Sequence, residues 1–234
     1  MLSVNHLQAR YGNFVALHDV TLHVNTGQIV GILGSNGAGK STLMKVLSGA
    51  HPVSSGAIQF CGEDMTSIND FHFHARGLSI VPEGRRLFSS LTIEENILTG
   101  KRKAMSQVNW TLERIYDTFP ILAKKRKCNP SMLSGGQQQL AALCRGLIAN
   151  PKLLLCDELS LGLSPNVVNE IYDALALVKQ SGTSMLLVEQ NMGRLLNTVD
   201  YMYCLLEGRV SLQGKPSELS QNDIKSAYFG ETAA

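Results

Sequence analysis

Ile29-Val30-Gly31-Ile32-Leu33-Gly34-Ser35-Asn36-Gly37-Ala38-Gly39-Lys40-Ser41-Thr42-Leu43-Met44-Lys45-Val46-Leu47 is the stretch on which the fold turns. Its first five residues are a continuous apolar run, the pattern of a strand buried on both faces. Its last six, from Thr42, are apolar at helical spacing. Between them, Gly34 to Ser41 fits G-x-x-x-x-G-K-S/T at every position. Glycines let the backbone curl until successive N–H groups point inward at phosphate oxygens, and the following helix adds its positive end. On this reading Lys40 bridges the β- and γ-phosphates of a nucleotide. Ser41 completes a magnesium shell otherwise made of water and phosphate. Strand, loop and helix in that order open a parallel α/β sheet.

Working outward, Leu78–Val81, Leu153–Cys156 and Met185–Val188 repeat the buried-strand pattern. Val167 to Lys179 reads as a helix, and Met202 to Val210 as a closing hairpin turning at Glu207-Gly208. Before the decisive stretch, Leu2–Leu7 and Val20–Val24 alternate as half-buried strands. From about 89 to 133 the character changes to more charge and helical periodicity around Leu112, Ile115 and Phe119. That predicts one domain over 1–234, with a core of 1–88 and 134–234 and an inserted helical subdomain over about 89–133.

Composition bounds what such a chain does. With 234 residues, 44% apolar and 17% charged, and a formal net charge of +2, it carries enough apolar surface for a sizeable core, which excludes disorder. No run approaches the ~18 apolar residues of a membrane span, and Met1–Arg10 lacks the apolar centre of a secretion signal, so a cytoplasmic chain is expected. Five cysteines, none in a Cys-x-x-Cys pair, read as reduced thiols. The charge balance gives no general reason to expect nucleic acid. Lys101–Lys103 and Lys124–Lys127 are basic runs whose simplest reading is a solvated face or a contact with acidic lipid.

Two further elements carry chemistry. Asp157-Glu158 follows a buried apolar strand: the first acid suits a magnesium ion held through water, the second a general base that polarises an attacking water. Ser134-Gly135-Gly136-Gln137 ends 20 residues before Asp157 and opens a helix read as Gln138 to Ile148, making a second anion-binding surface.

With these three elements in place, the chain resembles the ATP-binding-cassette (ABC) ATPases over essentially its whole length. The resemblance implies a P-loop NTPase (RecA-like) α/β fold. It adds an N-terminal antiparallel β subdomain and the inserted helices, with ATP and Mg2+ as ligands. Two cassettes would pack head to tail, each closing its Ser134–Gln137 segment on the γ-phosphate held by the other. Tyr11 matches the aromatic that stacks on adenine, and Ser160–Pro165 the loop that communicates across the dimer.

Two departures mark a branch. Glu83 stands where most cassettes carry Gln; it still approaches magnesium but adds charge and cannot donate as an amide does. Gln190 stands where most carry His; it donates an N–H to the γ-phosphate but cannot take a proton. Both, with the Gly84-Arg85-Arg86 and Glu189-Gln190-Asn191 contexts and the Ala227–Gly230 ending, are similar to ATP-binding subunits of bacterial importers. Those importers take up branched-chain amino acids, urea or short-chain amides. Leu159, where proline normally follows the base, and Ser164, usually Ala, depart from that branch.

The resemblance thus implies an ATP-hydrolysing subunit on the cytoplasmic membrane face. Its partners would be a second cassette, two permeases and, indirectly, an extracytoplasmic solute-binding protein. Alternatives are a mainly regulatory nucleotide-binding half of a heterodimer, motivated by Glu83 and Gln190, and a soluble cassette outside transport.

Overall fold

Residues 1–67, 70–102 and 109–230 are described in the computed structural model of the chain. Lys103, at the end of the first basic run, lies outside them. In chain order the strands are β1 (Leu2–Tyr11), β2 (Phe14–Val24), β3 (Ile29–Leu33), β4 (Ser55–Phe60), β5 (Glu63–Asp64), β6 (Leu78–Val81), β7 (Leu153–Asp157), β8 (Ser184–Glu189), β9 (Tyr201–Leu206) and β10 (Arg209–Gly214). The helices are α1 (Lys40–Leu47), α2 (Asp70–Ala75), α3 (Ile93–Leu98), α4 (Leu112–Thr118), α5 (Pro120–Lys125), α6 (Gly135–Leu147), α7 (Pro165–Gln180), α8 (Met192–Leu196) and α9 (Gln221–Phe229).

Apolar runs become the central sheet because both of its faces are covered. Its order is β10-β9-β3-β8-β7-β6, parallel throughout except for the edge pair of β9 and β10. Along β7, Leu153 and Leu155 join one core with the N-terminal sheet and α1. Leu154 and Cys156 join another with α3 to α9. Met185 and Leu187 alternate with Leu186 and Val188 along β8 in the same way. Two cores, one on each face, are what an uninterrupted apolar run within a strand implies. Glu207 and Gly208 close the β9–β10 hairpin, both at positive φ (47° and 73°), as the expected two-residue turn requires.

The N-terminal sheet, ordered β2-β1-β4-β5, is antiparallel. Here the strands run further than the alternation predicts, and the reason is a change of phase. Leu2 and Val4 are buried at even positions but Leu7 and Ala9 at odd ones, and the register shifts between Val4 and Leu7. His6 takes φ 51° at that bulge and Asp19 takes φ 58° on the facing strand, with 2.6 Å between His6 Nδ1 and Asp19 Oδ1. Each bulge re-aims the following apolar residue inward.

Between Phe88 and Leu133 the described residues form helices and turns. Pro120 ends the periodicity that joins Leu112 to Phe119 and starts α5 at its first turn. Asn96, fully buried, ties this segment to the core: its amide donates to the carbonyls of Phe88, Leu91 and Thr92 and accepts from Phe88 N–H. Lys124 and Lys125 lie in the last turn of α5, where positive charge complements the helix dipole. α6 begins at Gly135, three residues earlier than its apolar pattern indicates. Ser134 and Gln137 form a reciprocal capping box there. Cys144, Cys156 and Cys204 are buried free thiols. Among the described residues no helix is long and apolar enough to cross a membrane.

Candidate active site

Sheet order brings the candidate residues together. The adjacent parallel strands β3, β8, β7 and β6 all end at one edge, with Leu33 paired to Glu189, Val188 to Asp157 and Cys156 to Val81. Their carboxyl ends therefore present, side by side, the Gly34–Lys40 loop, Gln190, Asp157-Glu158 and Glu83. Ligand sites of open α/β sheets form at this edge.

Glycine is required in the loop itself. Gly39 takes φ +102°, and a Cβ there would sit 2.8 Å from Leu17 Cδ2. No side chain caps the N-terminus of α1, so its first N–H groups remain available to an anion. Lys40 is only 4% exposed. Its ammonium donates to the carbonyls of Gly34 and Ser35, both at 2.9 Å, and stands 3.4 Å from Glu158 Oε1. Gln190 Nε2 donates to the other carboxylate oxygen, Glu158 Oε2, at 2.7 Å. A cleft of about 620 Å³ opens over this floor, bounded by Tyr11, Asn36, Gly37, Lys40–Thr42, Glu158 and the Glu207–Arg209 turn. Tyr11 lies at its mouth, its ring 4.3 Å from that of His51 between centroids. Phe14, 69% exposed, lines the same cleft and was not indicated by any motif. Its pairing with Tyr11 across the β1–β2 turn puts it there.

The carboxylates form a concentrated negative centre. Burial raises the Asp157 carboxyl to about 6, and the charges of Glu158, Glu83 and Glu189 push the same way while Lys40 opposes them. Asp157 Oδ1 is buried without a hydrogen-bond partner. An orphaned carboxylate oxygen amid further acids fits a divalent cation. No cluster of three or more protein ligands occurs among the described residues, so the fit is to an ion that keeps water and substrate oxygens, as Mg2+ does.

This centre has a measurable cost. Asp157 holds its proton more tightly folded (about 6) than at its ordinary value of 3.8. Its contribution to stability is therefore fully present below the ordinary value and is lost as pH rises through the folded one. Asp157→Asn is expected to stabilise the nucleotide- and metal-free chain at pH 8 by about 1–2 kcal/mol, allowing for solvent screening. The gain should shrink as pH falls towards 4. Urea denaturation across that range checks it, and a pH-independent gain would contradict the assignment.

Ser134–Gln137 does not line the cleft. It forms a separate helix N-terminus, where Gly136 is a packing necessity: a Cβ would lie 2.2 Å from Val167 Cγ1. Arg85 approaches this turn, donating to Gln138 Oε1 at 3.1 Å, while Arg145 of α6 holds the carbonyls of Arg85 and Arg86. Neither arginine contact was legible from spacing.

A phosphate loop at the edge of a parallel sheet, with acids at the ends of neighbouring strands, defines an ATPase of the phosphate-loop class. The family described as ABC transporter matches residues 17–160, and the chain belongs to it. The high-affinity branched-chain amino acid transport ATP-binding protein BraG of Pseudomonas aeruginosa is 38% identical over 234 residues, covering 98% of this chain and all of its own. The probable branched-chain amino acid transport ATP-binding protein LivF of Archaeoglobus fulgidus is 32% identical over 225 residues, covering 95% of each chain. Among solved structures, an ATP-binding subunit of an ABC transporter superposes with a TM-score of 0.81 at 26% identity, covering 99% of this chain and 97% of that one. An ABC-transporter cassette in its ADP conformation has the same fold, at a TM-score of 0.81 and 24% identity over 97% and 93% of the two chains.

Proposed function

We propose that this chain is the ATP-hydrolysing subunit of a bacterial importer for branched-chain amino acids or a related small polar solute. The observation that carries the reading is the pair Lys40 and Glu158, 3.4 Å apart and both lining the cleft, with Gln190 holding Glu158 at 2.7 Å. Tyr11 stacks on adenine, and the Gly34–Thr42 backbone and Lys40 hold the phosphates. Glu158 takes the proton of the attacking water as general base, its carboxylate aimed by Gln190. Ser41 and Asp157, with Glu83 alongside, would hold Mg2+, which would supply charge neutralisation on the phosphates when bound. Ser134–Gln137 faces the γ-phosphate carried by a second cassette.

The helical subdomain of about residues 89–133 and the Glu83 loop would couple to the membrane, a groove near residues 84–100 receiving a helix of one of two permease subunits on the cytoplasmic membrane face, with an extracytoplasmic binding protein choosing the solute. Purification of the tagged chain with ATP from its native membranes, followed by mass spectrometry, tests this. Two hydrophobic permeases, a second cassette and a solute-binding protein are expected. Recovery of soluble or nucleic-acid-associated partners alone, from membranes shown to retain intact complexes, would overturn the importer.

A further inference from the structure

Glu189 is a carboxylate that the chemistry above does not use. It is 3% exposed and is the last residue of β8. Leu187 and Val188 before it pack into apolar cores, so burial at this position asks for no charge. With the Tyr172 hydroxyl beside it, the carboxylate holds Ser160 through both oxygens. Oε2 accepts from Ser160 Oγ at 2.7 Å, and Oε1 accepts from Ser160 N–H at 3.2 Å.

Ser160 lies two residues beyond Glu158, and the neighbours of Glu189 hold the other end of the same tripeptide. Val188 accepts from Glu158 N–H at 2.9 Å, and Gln190 donates to Glu158 Oε2 at 2.7 Å. Three consecutive residues of one strand end thus grip Glu158–Ser160 by backbone and side chain. The grip has a reason. Glu158 stands at φ 47°, in the left-handed region that a non-glycine residue rarely enters, so local preference does not hold its side chain in place. Leu159, buried in the core, has no ring to fix its own φ.

We propose that Glu189 is a positioning residue, holding Ser160 so that Glu158 keeps its strained backbone and its carboxylate aims at the attacking water. This rests on Glu158 being the general base.

The test uses the chain assembled with its partners and follows kcat, KM and ATP affinity. Glu189→Ala is expected to lower kcat about tenfold, the worth of one hydrogen bond to a charged group, with KM within about twofold. Glu189→Gln, which keeps an acceptor for Ser160 N–H and a polar partner for Oγ, is expected to recover most of that loss. In single turnover, adding Glu189→Ala to Glu158→Gln should cost nothing further, because both act through one group.

Parental kcat in Glu189→Ala, failure of Gln to rescue, or a further loss in the double variant would overturn the proposal. If Glu189→Ala does not assemble, Ser160→Ala decides. It removes only the Oγ contact and should lower kcat several-fold; parental turnover there would overturn the proposal. Parental turnover in Glu158→Gln alone would locate the failure in the base assignment instead.

Discussion

Glu158→Gln is expected to lower ATP turnover by roughly 10²–10⁴-fold, the range that a positioned general base contributes, while nucleotide affinity holds or tightens. The asymmetry follows from the contacts. An amide oxygen still accepts from Gln190 Nε2, so the side chain keeps its place. What disappears is the charge 3.4 Å from the Lys40 ammonium, and with it the competitor for the group that must meet the phosphates. An amide cannot take a proton from water, so chemistry stops where binding does not. Measured kcat with an unchanged or lower Kd for ATP supports this. A lowered kcat with a raised Kd for ATP would mean that Glu158 serves structure rather than proton transfer.

Lys40→Ala should do the converse, weakening ATP binding about 100-fold through the loss of charge-assisted hydrogen bonds worth roughly 1.5–3 kcal/mol each. An exposed lysine would be worth under about 1 kcal/mol and the effect would be slight. Lys40 is 4% exposed and held by two carbonyls, so its amine is already ordered before any ligand arrives. The truncation has a second effect. Lys40 is the charge that restrains the upward shift of Asp157, so its removal drives that carboxyl higher still. Metal-dependent ATP binding in the variant should therefore fade on acidification at a higher pH than in the parent. Equilibrium titration of ATP between pH 6 and 8 reads both effects. An affinity within about threefold of the parent would contradict the placement of Lys40 at the phosphates.

What was legible in the sequence was local. Gly34–Ser41 could be read as the loop joining β3 to α1 because one short backbone segment makes the whole turn. The runs Ile29–Leu33, Leu78–Val81, Leu153–Cys156 and Met185–Val188 could be read because burial on both faces leaves them apolar at every position but Ser79. Less was visible where geometry breaks a period. Bulges at His6 and Asp19 reverse the phase of β1 and β2, and β4 buries only Ile58 and Phe60 along six residues.

The site divides in the same way. Asp157 and Glu158 are consecutive and terminate an apolar run, so they announce themselves. Glu189 and Ser160 lie 29 residues apart and meet only because β8 is placed between β3 and β7, an order that the succession of strands does not reveal. Arg85 and Arg145, 60 residues apart, are legible for the same reason only in three dimensions.

Helix α6 has 13 residues and no break, so it is about 20 Å long and moves as a stiff rod. Its first turn carries Ser134–Gln137; near its last, Arg145 grips the carbonyls just beyond Glu83. A tilt of ~10° about Arg145 sweeps the Ser134 tip, about 16 Å away, through about 3 Å, the length of a hydrogen bond. A lever of that span turns a small rearrangement beside Glu83 into the making or breaking of a contact at the far tip.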